Sequence, residues 1–386
     1  MYVKIKLTGQ MWSIYLAFII LLLDAKSCNF VFWLSHILFW KYPFQALIEK
    51  SVNMNSRKTE SNTEWIKIVS RYNSPDPRRS WWQIINSVGP YIILWIAMIY
   101  TIRISYLLTL LLSVFAAGFM VRIFIIFHDC GHGSFFKSKR LCKAVGIITG
   151  LIVFTPYHKW HYEHKIHHLT VGNLEKRGIG DVLTLTVNEY QNLSQFRRLY
   201  YRIYRNPVVL FVIAPILVFT VGQRFTKKYM SAKEKMFVHL STLSLVAAII
   251  VIILLVGWKT FLLIQIPILF IATGHGVWLF YVQHQFRHVV WTNSNNWDYK
   301  TVALKGSSLF KLPWILNWFT GNIGYHHIHH LSTRIPNYNL KKCHDENSMF
   351  WDIKPVTFFS AFESLLLRLW DEKRQMLIKF SEVWDK

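Results

Sequence analysis

Apolar residues in this chain arrive in long unbroken runs, and that property restricts the fold more than any other. A helix of about 20 apolar residues crosses the hydrocarbon core of a bilayer and satisfies its backbone hydrogen bonds internally, as lipid requires. A water-soluble fold would instead repeat its apolar positions every second residue, or every third to fourth. Stretches such as 245–256 show neither repeat. The runs fall at 84–102, 104–126, 236–257 and 260–280. Only Arg103 divides the first pair, and only Trp258 and Lys259 divide the second. The expectation is an all-α membrane protein with four transmembrane helices in two hairpins.

A fifth apolar segment, 207–222, contains Pro207 and Pro215 and runs into Arg224, Lys227, Lys228, Lys233 and Lys235. If it spanned, that basic stretch would lie outside, against the tendency of Lys and Arg to stay on the cytoplasmic side. An interfacial or re-entrant segment removes the conflict and leaves the basic loops facing the cytoplasm. The formal net charge is +24, from 44 Lys and Arg against 20 Asp and Glu. Such a balance can mark a nucleic-acid partner. Here the basic residues sit between apolar runs, which fits anionic lipid headgroups and an acidic electron-transfer partner, not nucleic acid.

Residues 1–53 form a hydrophobic extension with short apolar stretches at 12–23 and 30–40, and the domain proper reads as 54–386. Met54 opens a polar segment, 54–79, and an internal translation start there is one reading of that boundary. At the other end, 356–384 has apolar residues at helical spacing and reads as an amphipathic surface helix. Cys28, Cys130, Cys142 and Cys343 show no paired spacing, so no disulfide framework or zinc ribbon is expected.

Histidine is the compositional anomaly, with 17 residues. His128 and His132 lie four apart at the end of the second apolar run, so a helix turns both to one face. His164, His167 and His168 share a face by the same geometry, as do His326, His329 and His330, and His284 follows the last run. Imidazole suits iron, copper, zinc and nickel. One ion takes about four to six ligands, so this set suits two ions better than one. Asp129, His161, Asp181, His288 and His327 are candidates to orient the ligands through the second ring nitrogen. His36, His158, His239, His275 and His344 read as plain structural histidines.

These boxes resemble the membrane fatty acid desaturase family, whose pattern is HxxxH, HxxHH and HxxHH with a further histidine between the last two. The likeness extends through HDCGHGSFF from His128, HKIHHLTVGNLEKRGIGDVLTLT from His164, FYVQHQF from Phe280 and NIGYHHIHHLSTRIPNYNL from Asn322. It looks like the bacterial acyl-lipid, delta-12-type branch. The resemblance implies that His128, His132, His164, His167, His168, His284, His326, His329 and His330 ligate two iron ions. It also implies a four-helix stem under a cytoplasmic catalytic cap. The implied reaction uses dioxygen and a separate ferredoxin or cytochrome b5 type donor to form a cis double bond in a membrane-lipid acyl chain. Two departures stand out. Arg287 and His288 replace a usual acidic residue, and Phe280 stands where some relatives carry an Asn that reaches iron through water.

Two other functions fit parts of the pattern. A fatty acyl hydroxylase or related di-iron lipid-modifying enzyme would need the same boxes. A histidine-rich metal transporter would place ionisable ligands near the bilayer midplane, whereas these clusters sit at the inner ends of the spans.

Overall fold

The computed structural model describes residues 64–178 and 180–383; the apolar stretches at 12–23 and 30–40, and Met54, lie outside the described residues. A short helix, α1 (Glu64–Ser70), precedes α2 (Pro77–Thr101). Asp76 caps α2 by accepting from the Arg78 amide, and Pro77 supplies a preset helical φ at the first position. After a turn at 102–105, α3 (Tyr106–His132) runs to Gly133, whose φ of 67° closes the helix in a conformation that side chains resist. Next come α4 (Lys139–Ile152) and α5 (Tyr157–Thr170), which meet at 103°. They are followed by β1 (Leu185–Thr186), α6 (Val187–Gln191) and α7 (Gln195–Tyr204).

The segment expected at 207–222 is a π-helical turn, Val209–Ile213, leading into α8 (Ala214–Thr220). It bends by 51° from α7. A capping box between Ser231 and Glu234 then starts α9 (Ala232–Val256), and Gly257 links it to α10 (Trp258–His284). The remaining elements are α11 (Tyr299–Lys305), β2 (Phe310–Lys311), α12 (Trp314–Phe319), α13 (His326–Leu331) and α14 (Asn337–Asp345). Last come β3 (Val356–Thr357), α15 (Ala361–Ser364), β4 (Leu369–Asp371) and β5 (Met376–Ile378).

Helices α2, α3, α9 and α10 are long and apolar enough to cross a membrane. Each extends past its apolar run into polar sequence. Hydropathy marks where a helix can meet lipid, but caps decide where it ends. α3 is the central element and packs against α2, α4 and α10 around Met98, Ala116, Met120, Ile123, Phe127, Ile264 and Ile268. α9 exposes Leu243, Val251, Leu254 and Leu255, a face without protein partners among the described residues. A second core joins α13 and α14 to the end of α10 through Val282, Ile328, Leu331, Leu340 and Phe350. Each such side chain stabilises by about 1.5–3 kcal/mol when fully buried from water.

Two expectations need correction. The fold is mostly helical but not all-α, since β4 pairs with β1 in parallel and β5 antiparallel, and β2 pairs with β3. The amphipathic helix expected over 356–384 is absent from the described part, which holds β3, α15, β4 and β5. The polar run after Trp370 makes a turn instead, with Asp371 accepting from the Lys373 and Arg374 amides and Gln375 at φ 51°. Leu369, Trp370, Leu377 and Ile378 on either side are buried as paired strands. Their spacing matched helical periodicity by coincidence, and long-range pairing decided the conformation.

Candidate metal centre

His128 and His132 occupy the last turns of α3, and α5 contributes His164, His167 and His168. α13 contributes His326, His329 and His330, and His284 ends α10. The nine imidazoles gather into two groups, not one. His128, His132, His164, His168 and His329 form the first; His167, His284, His326 and His330 form the second. Within each group the candidate ligand nitrogens lie within 4.8 Å of one another. Each HxxHH box therefore serves both groups. Successive helical residues turn by about 100°, so positions i and i+4 nearly eclipse while i+3 looks to the side. His164 and His168 face one group and His167 the other; His326 and His330 face the second and His329 the first.

The spacing within each group fits metal ions. His164 Nε2 lies 3.1 Å from His128 Nε2 and 3.0 Å from His168 Nε2, which is 3.1 Å from His329 Nε2. In the second group, His284 Nε2 lies 3.1 Å from His167 Nε2 and 2.9 Å from His326 Nε2, which is 3.1 Å from His330 Nε2. Ligands about 2.1 Å from one ion at right angles sit about 3.0 Å apart, while a tetrahedron separates them by about 3.4 Å. The Nε2 atom of His132 is buried with no hydrogen-bond partner among the described residues. Five imidazoles already exceed a closed tetrahedral zinc site. These are clusters able to bind metal.

Tautomers are set from behind. Asp129 Oδ1 lies 3.0 Å from His128 Nδ1, Asp181 Oδ1 lies 2.5 Å from His167 Nδ1, and the Gly306 carbonyl lies 3.2 Å from His284 Nδ1. Each acceptor calls for a proton on Nδ1 and leaves the Nε2 lone pair free for the centre. Burial, and then neighbouring imidazoles, hold His164, His168, His326, His329 and His330 well below the usual histidine range. Neutral rings are the form that ligates metal. Gly180, at φ 72°, brings Asp181 to His167 where a Cβ would lie 3.0 Å from both the Glu163 carbonyl oxygen and His167 Cβ. Trp160 stacks on His164 with centroids 4.3 Å apart.

Among the other candidates, Asp129 and Asp181 contact rings of the two groups directly. His161 is exposed and its ring runs parallel to that of Tyr157, 6.1 Å away, outside both groups. His288 is exposed beyond α10. His327 is buried and faces His344, 3.1 Å away, on the side of α13 remote from the groups. Phe280 packs 5.2 Å from both His167 and His284. A cavity of about 10 Å³ beside it, lined by Asp181, His284 and Gly306, has room for about one water.

Sequence reasoning passed over three supporting residues. Asn337 donates its backbone and side-chain amides to Asp129 Oδ2, at 2.7 and 2.8 Å. The Gly306 carbonyl carries no side-chain signal at all. Arg205 is fully buried and bonds to Leu183 O, Thr184 Oγ1, Tyr281 OH, Gln285 Oε1 and Leu367 O. It thereby ties the chain after Asp181 to the end of α10 and to the C-terminal strands. A basic residue between helices reads from sequence as surface charge, so nothing local singled it out.

The fold thus joins four helices long and apolar enough to cross a membrane to two histidine clusters able to bind metal. Comparison with known proteins narrows this. The fatty acid desaturase family model matches residues 104–361. A fatty acid desaturase from Bacillus subtilis (strain 168) is 45% identical over 317 residues, covering 82% of this chain and 90% of that protein. An sn-1 acyl-lipid omega-3 desaturase (ferredoxin) from Synechocystis is 28% identical over 251 residues, 61% of this chain and 64% of the relative. An sn-1 oleoyl-lipid 12-desaturase from the same strain is 27% identical over 245 residues, 59% and 65% respectively. The chain belongs to the fatty acid desaturase family, a family of oxidoreductases. Family membership favours an enzyme over the metal transporter.

Proposed function

We propose that this chain is an O2-dependent di-iron desaturase that introduces a cis double bond into a membrane-lipid acyl chain, with delta-12/omega-6 as its positional type. The observation that carries the reading is the pairing of a five-imidazole group with a four-imidazole group. In this reading the nine clustered histidines hold two iron ions, one in each group. When bound, an iron pair supplies the dioxygen chemistry needed to remove hydrogen from unactivated methylenes. Asp129, Asp181 and the Gly306 carbonyl fix the ligating tautomers. Phe280, Val171 and Trp291 line the cavity at the second group and keep bulk water from it.

The same reading takes 54–386 as the catalytic domain. It makes α2–α3 and α9–α10 two membrane hairpins, with 207–222 at the interface and the histidines on the cytoplasmic face. The contact of α2 with α3 and of α9 with α10, and the bend before 209, support it. Electrons come from a separate donor of ferredoxin or cytochrome b5 type, and one relative's name specifies ferredoxin. The positional type rests on the motif likeness; the relatives' names include both omega-3 and 12-desaturases.

Expression in a host with saturated and monounsaturated lipids tests the proposal, with new double bonds located by gas chromatography. New cis double bonds are expected from the unaltered chain and none from His329→Ala, although the variant still reaches the membrane. Near-normal unsaturation with His329→Ala refutes the site. Hydroxylated products in place of double bonds refute the reaction.

A further inference from the structure

A cavity of about 420 Å³ lies away from the histidine groups, between the start of α2, the body of α3, α12 and α14. Its lining includes Arg79, Arg122 and Lys341 and no acidic residue. Arg79 donates to neutral oxygens, Asn339 Oδ1 and Tyr338 O, each at 2.9 Å. Arg122 donates to the Trp318 carbonyl and lies 3.9 Å above that indole ring. Neither guanidinium meets a carboxylate among the described residues, while Lys341 pairs with Asp345 at the rim. Arg122 is only 7% exposed, and its Nε has no hydrogen-bond partner. A nearly buried guanidinium lining a cavity with no carboxylate is costly, and an anionic ligand there would relieve that cost.

The surroundings fit a lipid surface. Arg122 precedes His128 by six residues, so it lies about 9 Å further down α3 than the centre. α12 exposes Trp314, Ile315 and Trp318, the kind of side chains that settle at headgroup level. The cavity is linked to the metal centre through hydrogen bonds. Asn337 lines it, accepts from Gln83 Nε2 at 3.1 Å, and donates to the Asp129 carboxylate behind His128.

We propose that this cavity is the seat of a glycerophospholipid headgroup, with Arg79, Arg122 and Lys341 receiving the phosphodiester. The assignment rests on the acyl-lipid reading above and adds to it the residues that grip the carrier. It also gives the substrate a contact, through Asn337 and Asp129, with the support of His128.

The test uses the full chain, delipidated in neutral detergent, with bound lipid counted by native mass spectrometry. The probes are dioleoyl phosphatidylglycerol, dioleoylglycerol as the same chains without phosphate, and palmitoyl-CoA as another phosphate source. Phosphatidylglycerol is expected to bind at least about tenfold more tightly than dioleoylglycerol, the worth of one charge-assisted hydrogen bond. Arg122→Gln, and the exposed pair Arg79→Gln with Lys341→Gln, are expected to abolish that preference. The exposed pair keeps the test valid if the buried substitution prevents folding. Equal binding of the two lipids, or a preference that survives in the double variant, overturns the proposal. Displacement of phosphatidylglycerol by palmitoyl-CoA, with both weakened alike in the double variant, overturns the choice of carrier. Iron per chain, measured on the same samples, reports separately on the metal centre.

Discussion

Replacing Asp129 with asparagine changes one oxygen to an NH2 at a point where three donors converge. Oδ1 faces His128 Nδ1 at 3.0 Å, and Oδ2 takes both the backbone and side-chain amides of Asn337 at 2.7 and 2.8 Å. Asparagine has one carbonyl to offer. If it stays with Asn337, the new NH2 faces His128 Nδ1, which must then accept, and the ring proton moves to Nε2 where the ligand lone pair should be. If it turns to His128, two buried amides lose their acceptor, at about 1–3 kcal/mol each. Either way the five-imidazole group loses about 10–100-fold in metal affinity, or about 1.4–2.7 kcal/mol. Asp181→Asn provides the internal control. Asp181 Oδ1 serves His167, but the buried Oδ2 has no partner among the described residues, so the amide nitrogen can take that position without displacing a donor while the carbonyl keeps the useful contact. Its loss is expected to stay below about tenfold. The assay is anaerobic loading with ferrous iron under graded chelator competition, followed by elemental analysis of iron per chain. Asp129→Asn should shed iron at weaker chelator than Asp181→Asn. Equal retention, or the reverse order, refutes the tautomer argument.

Acid should destabilise the metal-free chain. Burial, then neighbouring imidazoles, lower His164, His168, His326, His329 and His330, and burial followed by His344 pushes His327 down to about 3. Above about pH 6.5 folded and unfolded imidazoles are both neutral and contribute nothing to the pH dependence; below it only the unfolded chain takes up protons. Thermal midpoints of stripped protein should be flat down to about pH 6.5 and then fall, by up to about 1.4 kcal/mol per pH unit per histidine, and a rise on acidification would contradict this. Arg205→Met should cost about 3–5 kcal/mol in denaturant titrations, because five acceptors, four of them buried, lose a charged donor; a change under about 1 kcal/mol would dismiss its bracing role. Gly180→Ala should weaken iron retention at the four-imidazole group more than at the other, since its Cβ meets His167 Cβ at 3.0 Å and its φ of 72° disfavours a side chain.

The sequence by itself marked which stretches are apolar helices and which nine histidines gather into the two groups. Both are local properties: an unbroken apolar run needs no partner to be recognised, and spacings of three and four residues put imidazoles on one helical face wherever that helix lies. Helix ends were less legible, because caps such as Asp76 and Ser231 lie outside the apolar runs. Tertiary structure decided the rest. The division of histidines into five and four comes from how α3, α5, α10 and α13 face one another. Of the supports behind the rings, Asn337 reaches Asp129 from 208 positions away, and Gly306 reaches His284 from the next segment, 22 positions on. The strands of the C-terminal segment exist because β4 pairs with β1, far upstream, and because Arg205 reaches Leu367. A contact between residues more than a hundred positions apart leaves no periodic trace in either segment, so only the folded chain could disclose it.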